Sequence, residues 1–413
     1  MRALCKRFGL PLDNLHAVEP AGTTDTYFAK GSWYTNIDAD FAPVRDALKI
    51  DLKAAGYPTH WDSITPGGKA LDQMSVYDWI STRVPGGHNS KLGKILDVAY
   101  NIEYGAETKD QSSLNLVYLL GYQPNNNRMA IFGASDETYH VRGGNQKLPM
   151  AIASALPANT VQFGYRMTQI AQNADKTFAL TFKTANGTQV VTADAVVLAL
   201  PFAVLRTLDY SSAGFDARKD MAIQQLGRGQ NGKLMLQFKT RLWNQAGPWG
   251  KSTGTTFSDS GYQASWEVSR AQAGNSGILV DYTGGNATVD GYASQSSPYT
   301  RGNDATTLKL GQKALTMLEP VYPGLTAQAN GKTVLSIPPK DTDFNCSYSY
   351  LRVGQYTAFA GHEKAPQGHC FLPVSTAVRI IKALWKVLRL KANELPMKSL
   401  PRGPSFRACS TIS

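Results

Sequence analysis

Three runs with strand-like alternation, Val161–Ala171, Phe178–Thr184 and Gln189–Leu200, follow one another with only short gaps between them. The gaps hold Asn173-Ala174-Asp175 and Asn186-Gly187, and the second is a strong hairpin signal because both residues tolerate positive φ. Three strands joined by tight turns can only pair antiparallel, as a meander. The chain before them has a different period. Apolar residues in Phe41–Leu52, Ser75–Ile80, Leu92–Ile102 and Ser112–Leu120 recur at helical spacing. Gly143-Gly144 then opens a predicted helix that runs through Leu148 to Leu156 and stops at Pro157. Beyond Pro201 further strands are expected at Lys233–Phe238, Gln263–Val268 and Gly277–Tyr282, with a helix at Ala305–Leu318. The fold class that follows is α+β, mixing helices with antiparallel sheet.

At 413 residues the chain is longer than one core usually fills, so two folding units or one interrupted unit are expected. The longest apolar run, Ala195–Leu205, is half a bilayer span and contains Pro201, which argues against a membrane helix. The basic start, Met1–Phe8, lacks the apolar stretch of a signal peptide. Four scattered cysteines fit neither a disulfide framework nor a zinc site, and a reducing cytoplasm is the expected compartment. The six histidines form no metal-ligand spacing, and neither a GxSxG elbow nor a P-loop is present.

The net charge of +11 points at first to nucleic acid. Its distribution does not. Residues 372–413 carry eight Lys or Arg and one Glu, whereas the first 371 residues hold 34 basic and 30 acidic side chains, a net +4. The basicity belongs to a tail, and no nucleic-acid partner is expected.

What remains is an ordered series of segments: Asp136–Pro149 with its double glycine, the meander ending Ala199-Leu200-Pro201, Gly232–Phe238, Trp243, Trp266–Gln272 and Gly354–Gly361. Their order and spacing resemble the flavin-containing amine oxidase family, which includes monoamine, polyamine and L-amino-acid oxidases. The resemblance covers about residues 1–371. It implies FAD and a small-molecule amine or amino acid, oxidised to an imine by hydride transfer to flavin with dioxygen giving hydrogen peroxide. No membrane partner is implied, and a homodimer is compatible. A related FAD-dependent desaturase or oxidase is the wider alternative.

The family match assigns roles residue by residue, each beside a plainer account. Gly143 and Gly144 would let backbone approach FAD, though a tight strand-to-helix turn explains them equally. Val161 matches the valine that touches the adenine, and is otherwise a strand core residue. Leu200 would end the third meander strand beside the cofactor. Lys233 interrupts an apolar strand, and a buried ammonium needs partners. The family's matching lysine holds a water against flavin N5, whereas a strand-edge lysine reaching solvent is the bland account. Tyr356 matches one wall of an aromatic cage that receives a neutral amine. Gln355 stands where some relatives carry the cysteine that binds flavin covalently, so FAD is expected to be non-covalent. The tryptophan usual some ten residues upstream is absent around Asn345-Cys346. Trp266, Tyr282 and the Glu103–Glu107 segment are candidates to line the substrate pocket, or simply to pack.

The family opens with a βαβ unit carrying GxGxxG, and no such unit opens this chain. A truncated relative is therefore expected. At the other end, one base lost after Leu372 would let the restored frame spell A-G-E-H-S-S-Q-D-Y-Q-G-F-M-E-G-A, the family's C-terminal flavin motif. Residues 373–413 then read as a frameshifted basic tail. Taken literally, Arg379–Leu390 would be a basic amphipathic helix. The expected domains are 1–142 (helical part of the substrate domain), 143–207 (FAD-binding remnant), 208–352 (substrate sheet) and 353–371 (return to the FAD-binding part). A working oxidase and a catalytically dead remnant that does not hold FAD both stay open.

Overall fold

A computed structural model describes residues 2–124, 128–133, 138–301 and 304–373. The predicted frameshifted tail and the literal basic helix at Arg379–Leu390 lie outside the described residues, apart from Pro373.

The meander is present as three antiparallel strands, Arg166–Gln172, Phe178–Thr184 and Gly187–Ala193, registered from Phe178↔Ala193 to Thr184↔Gly187. The hairpin turn is Ala185-Asn186, one residue earlier than expected, with Gly187 at φ +107° closing it. Both ends of the predicted meander change. Its first strand starts at Arg166 rather than Val161, because Gly164 at φ +80° breaks the extended run. Its third strand stops at Ala193. Asp194 and Ala195 separate it from Val196-Val197, which instead pairs parallel with Cys370-Phe371.

The helical half has the elements its periodicity demanded. Helices Ile37–Ala55, Val76–Arg83, Lys91–Tyr104 and Ser113–Leu120 are found, the last three entered through serine caps at Ser75, Ser90 and Ser112. In the first of them Ile37, Phe41, Val44, Leu48, Asp51 and Ala55 form the buried stripe. The strand Thr24–Ala29, which no period announced, also lies in this half.

That strand joins an eight-stranded sheet of order Tyr299–Arg301, Ala329–Ser336, Asn231–Phe238, Gly277–Gly284, Ala264–Glu267, Ser252–Ser258, Thr24–Ala29, Ser32-Trp33. All neighbours are antiparallel except Ser252–Ser258 with Thr24–Ala29. Asn231–Phe238, the lysine strand, is therefore interior and paired on both sides. Its side chains alternate. Leu234, Leu236 and Phe238 enter a core with Tyr262, Leu279, Tyr322 and the helix Ala305–Leu318. Met235, on the face of Lys233, packs against the core built by the 37–120 helices.

A third core joins the meander to the helices Phe202–Leu205 and Ala217–Gln225 and to the short helix Gln355–Phe359. Tyr356 packs against both this core and the helical one, so it stands at their seam. The architecture is that of an α+β fold, with 13 α-helices and mixed sheets among the described residues.

Candidate functional site

Lys233 is fixed by register. It lies opposite Tyr282 on one neighbouring strand and Ser336 on the other. Tyr282 in turn faces Ala264, two residues before Trp266 on the same face of the next strand. The Lys233 ammonium consequently sits 5.4 Å from the ring centroids of both Trp266 and Tyr282. Those rings meet edge to face at 4.9 Å. An ammonium between aromatic rings is held by their quadrupoles, which is one way a cation survives in a sheet of this kind. The lysine strand is not an edge strand, since it is paired on both sides, and Lys233 itself is partly exposed.

The Tyr282 hydroxyl donates to that of Tyr348 at 3.3 Å. Tyr348 lies eight residues before Tyr356, in the region where a tryptophan was expected and missed. It joins Lys233, Trp266 and Tyr282 in one cluster.

Tyr356 belongs to a second cluster. Its hydroxyl donates to Asn115 Oδ1 at 3.1 Å, and its ring meets Tyr118 edge on at 5.8 Å. Burial, with Tyr104 and Tyr118 close by, pushes its phenol well above the usual range. The backbone beneath is held by Asp72, which is fully buried and accepts from Tyr356 N at 3.3 Å, Thr357 N at 2.8 Å and Thr357 Oγ1 at 2.8 Å. Gln355 is buried too. Its amide is occupied by Arg352 N and Gln225 O.

The remaining predicted residues lie elsewhere. Gly143 and Gly144 adopt φ +80° and +111° in a turn that delays the next helix to Lys147–Ser154. A Cβ on Gly143 would lie 2.5 Å from the Lys147 ammonium, whereas one on Gly144 would meet nothing closer than 3.9 Å. The turn thus offers open backbone with a cation beside it, which suits an anionic group such as a phosphate. Val161 is not a strand core residue. It sits outside the meander and is 42% exposed, next to Phe163 at 88%. Leu200 is partly buried in the coil ahead of Pro201 and the helix Phe202–Leu205, not at a strand end.

In the Glu103–Glu107 segment, Gly105 ends a helix at φ +68°. Glu107 Oε1 accepts from Asn101 Nδ2 at 3.0 Å and Asn286 N at 2.9 Å, a tie between helix ends. No group of three or more metal-ligating side chains occurs among the described residues.

The sequence does contain a literal GxGxxG at Gly227–Gly232, but not within a βαβ unit. It is no phosphate loop. It leads into the lysine strand instead of a helix, and a Cβ would strike the Tyr350 ring at Gly227, the Tyr104 carbonyl at Gly229 and the Tyr292 ring at Gly232. Close packing is what these glycines serve.

Solved structures of the same fold include cyclohexylamine oxidase from Brevibacterium oxydans IH-35A. It is 15% identical at a TM-score of 0.74, with 95% of this chain and 84% of that one covered. Putrescine oxidase bound to putrescine is 14% identical at 0.73, covering 95% and 85%. No curated protein matches the chain. Among the described residues no helix is long and apolar enough to cross a membrane. The family model for flavin containing amine oxidoreductase matches residues 1–295, more than half of the sequence, and the chain therefore belongs to that family.

Proposed function

We propose that this protein oxidises an amine or amino acid to its imine with non-covalently bound FAD and dioxygen. One observation carries the reading: Lys233 stands on an interior strand with its ammonium between Trp266 and Tyr282, backed by Tyr348. The chemistry that bound FAD supplies is hydride acceptance from the amine carbon and passage of both electrons to dioxygen, yielding hydrogen peroxide.

The chain's own residues do the rest. Lys233 would hold an ordered water at the reacting edge of the flavin ring. Trp266, Tyr282 and Tyr348 would flank that ammonium and line the substrate side of the site. Tyr356 presents its phenol to the amine nitrogen, and an apolar, desolvated surrounding favours the neutral amine over ammonium. Gly143, Gly144 and Lys147 would take the phosphate end of the cofactor, and Leu200, in the same 143–207 segment, would lie beside it. The spent amide of Gln355 leaves no group there for a covalent flavin bond.

The alternative is a remnant that does not hold FAD, in which the run around Val161 and Phe163 would stay exposed. One experiment separates the two. The full chain is refolded or expressed with excess FAD, desalted, and examined for flavin absorbance and for peroxide release on an amine panel, with Lys233→Met as control. Retained flavin and Lys233-dependent peroxide are expected. A colourless, inactive preparation that is nonetheless folded would leave the remnant reading.

A further inference from the structure

We infer that Asn115 fixes Tyr356 as a hydrogen-bond acceptor, and so makes the site select substrates that carry an N–H. This rests on the reading of Tyr356 as the residue that meets the amine. An amide oxygen can only accept, so the contact at 3.1 Å commits the single phenolic proton of Tyr356 to Asn115 Oδ1. What the phenol oxygen can still offer is a lone pair. A primary or secondary amine meets it with an N–H, whereas an ether or carbonyl oxygen would meet it lone pair to lone pair.

The direction holds only if the Asn115 amide cannot turn over, and its surroundings prevent that. Asn115 is 3% exposed, and its Nδ2 donates to the Leu351 carbonyl at 2.8 Å. A flipped amide would set Oδ1 against that carbonyl in a place closed to water; the carbonyl would keep Ser112 N at 3.1 Å, but Oδ1 would face an acceptor with no donor. The spacing of the two residues is fixed as well. Ser112 Oγ donates to Asp72 at 2.8 Å, immediately ahead of the helix Ser113–Leu120 that carries Asn115. The other Asp72 contacts hold the first amides of the helix that carries Tyr356. One buried carboxylate thus sets the start of both helices. Asn115 is a positioning residue: it acts through the phenol and not on the substrate.

The test uses the FAD-loaded full chain and two probes. Cumylamine has no hydrogen on its α-carbon and binds without turnover, and cumyl methyl ether is an acceptor only. Dissociation constants come from isothermal titration calorimetry. The wild type should prefer the amine by about tenfold or more, the weight of one good hydrogen bond. Asn115→Leu frees the phenolic proton to donate, and the preference should fall below about threefold. Asn115→Asp keeps an acceptor for that proton and should keep the preference. It is the decisive variant if the leucine does not fold, and loss of preference there would overturn the inference. Tyr356→Phe is the control for the underlying reading. If it leaves the preference intact, Tyr356 does not meet the amine and the proposed site fails. If it removes the preference while Asn115→Leu does not, the site stands and the role of Asn115 is wrong.

Discussion

The lysine sheet and the meander are both antiparallel, yet they treat their side chains in opposite ways. The sheet is covered on both faces, and the strand Gly277–Gly284 is buried at every position but Ile278. In the meander the edge strand Gly187–Ala193 is exposed at every position except Gln189 and Ala193, with Val190 at 62%. A polar group in the first setting must be partnered or neutral, because nothing else satisfies it. An apolar group in the second is under little obligation. Unusual residues in the sheet therefore carry information about chemistry, whereas those in the meander carry little.

The largest effects should come from the sheet's packing. Trp243 is fully buried, touches Phe238 edge to face at 5.7 Å and donates to Glu267 at 3.0 Å. Trp243→Ala removes the ring and takes the donor from Glu267 Oε2, while Oε1 keeps Arg241 Nε and Ser269 Oγ, and a loss of about 4 kcal/mol in urea unfolding is expected. A loss under about 1 kcal/mol would mean that the sheet is not the rigid half of the molecule.

Next is Lys233→Met, which keeps the strand's volume but removes the ammonium. Peroxide release should fall about a hundredfold, with the urea midpoint nearly unchanged. A parallel fall in midpoint would make Lys233 a structural residue.

Asp281 sharpens the same comparison through pH. It lies opposite Leu234 in the core beneath Ala305–Leu318, with one carboxylate oxygen lacking a partner among the described residues. Burial raises its pKa to about 7. The folded state therefore binds its proton more tightly than the unfolded one. Below about pH 4 both states are protonated and nothing is lost. Stability then declines as pH rises from about 4 to 7 and levels off above that. Asp281→Asn should be near neutral at pH 4 and stabilise at pH 8 by about 2–4 kcal/mol. Equal effects at both values would show that the carboxyl is not desolvated.

How much could be read from the sequence follows the same division. Helices and meander were legible because their periods are local. Lys233, Trp266 and Tyr282 were legible because each sits on its own strand at an alternate position. Thr24–Ala29 was not, since its partner Ser252–Ser258 lies more than two hundred residues away. Asn115 and Asp72 escaped notice for a related reason. They sit in helical stretches and meet Tyr356 and Thr357 across 241 and 285 positions. No spacing rule spans that distance. The start of the meander was misplaced at Val161 because the alternation begins before the point where Gly164 turns the chain.

The smallest effect should fall at the turn and the open surface beyond the meander. Gly144→Ala forces a side chain into φ +111°, which costs about 1–2 kcal/mol even though the space beside it is open. Flavin retention should weaken with it, read by fluorescence of released FAD. Phe163→Ser removes a ring that is 88% exposed and should shift stability by less than about 0.5 kcal/mol. Solubility should rise, because a large exposed ring favours association. If this variant instead lowers the urea midpoint markedly, Phe163 is covered in solution. The contrast between a covered sheet and an open meander would then stop short of the run that leads into the meander, which another surface would cover.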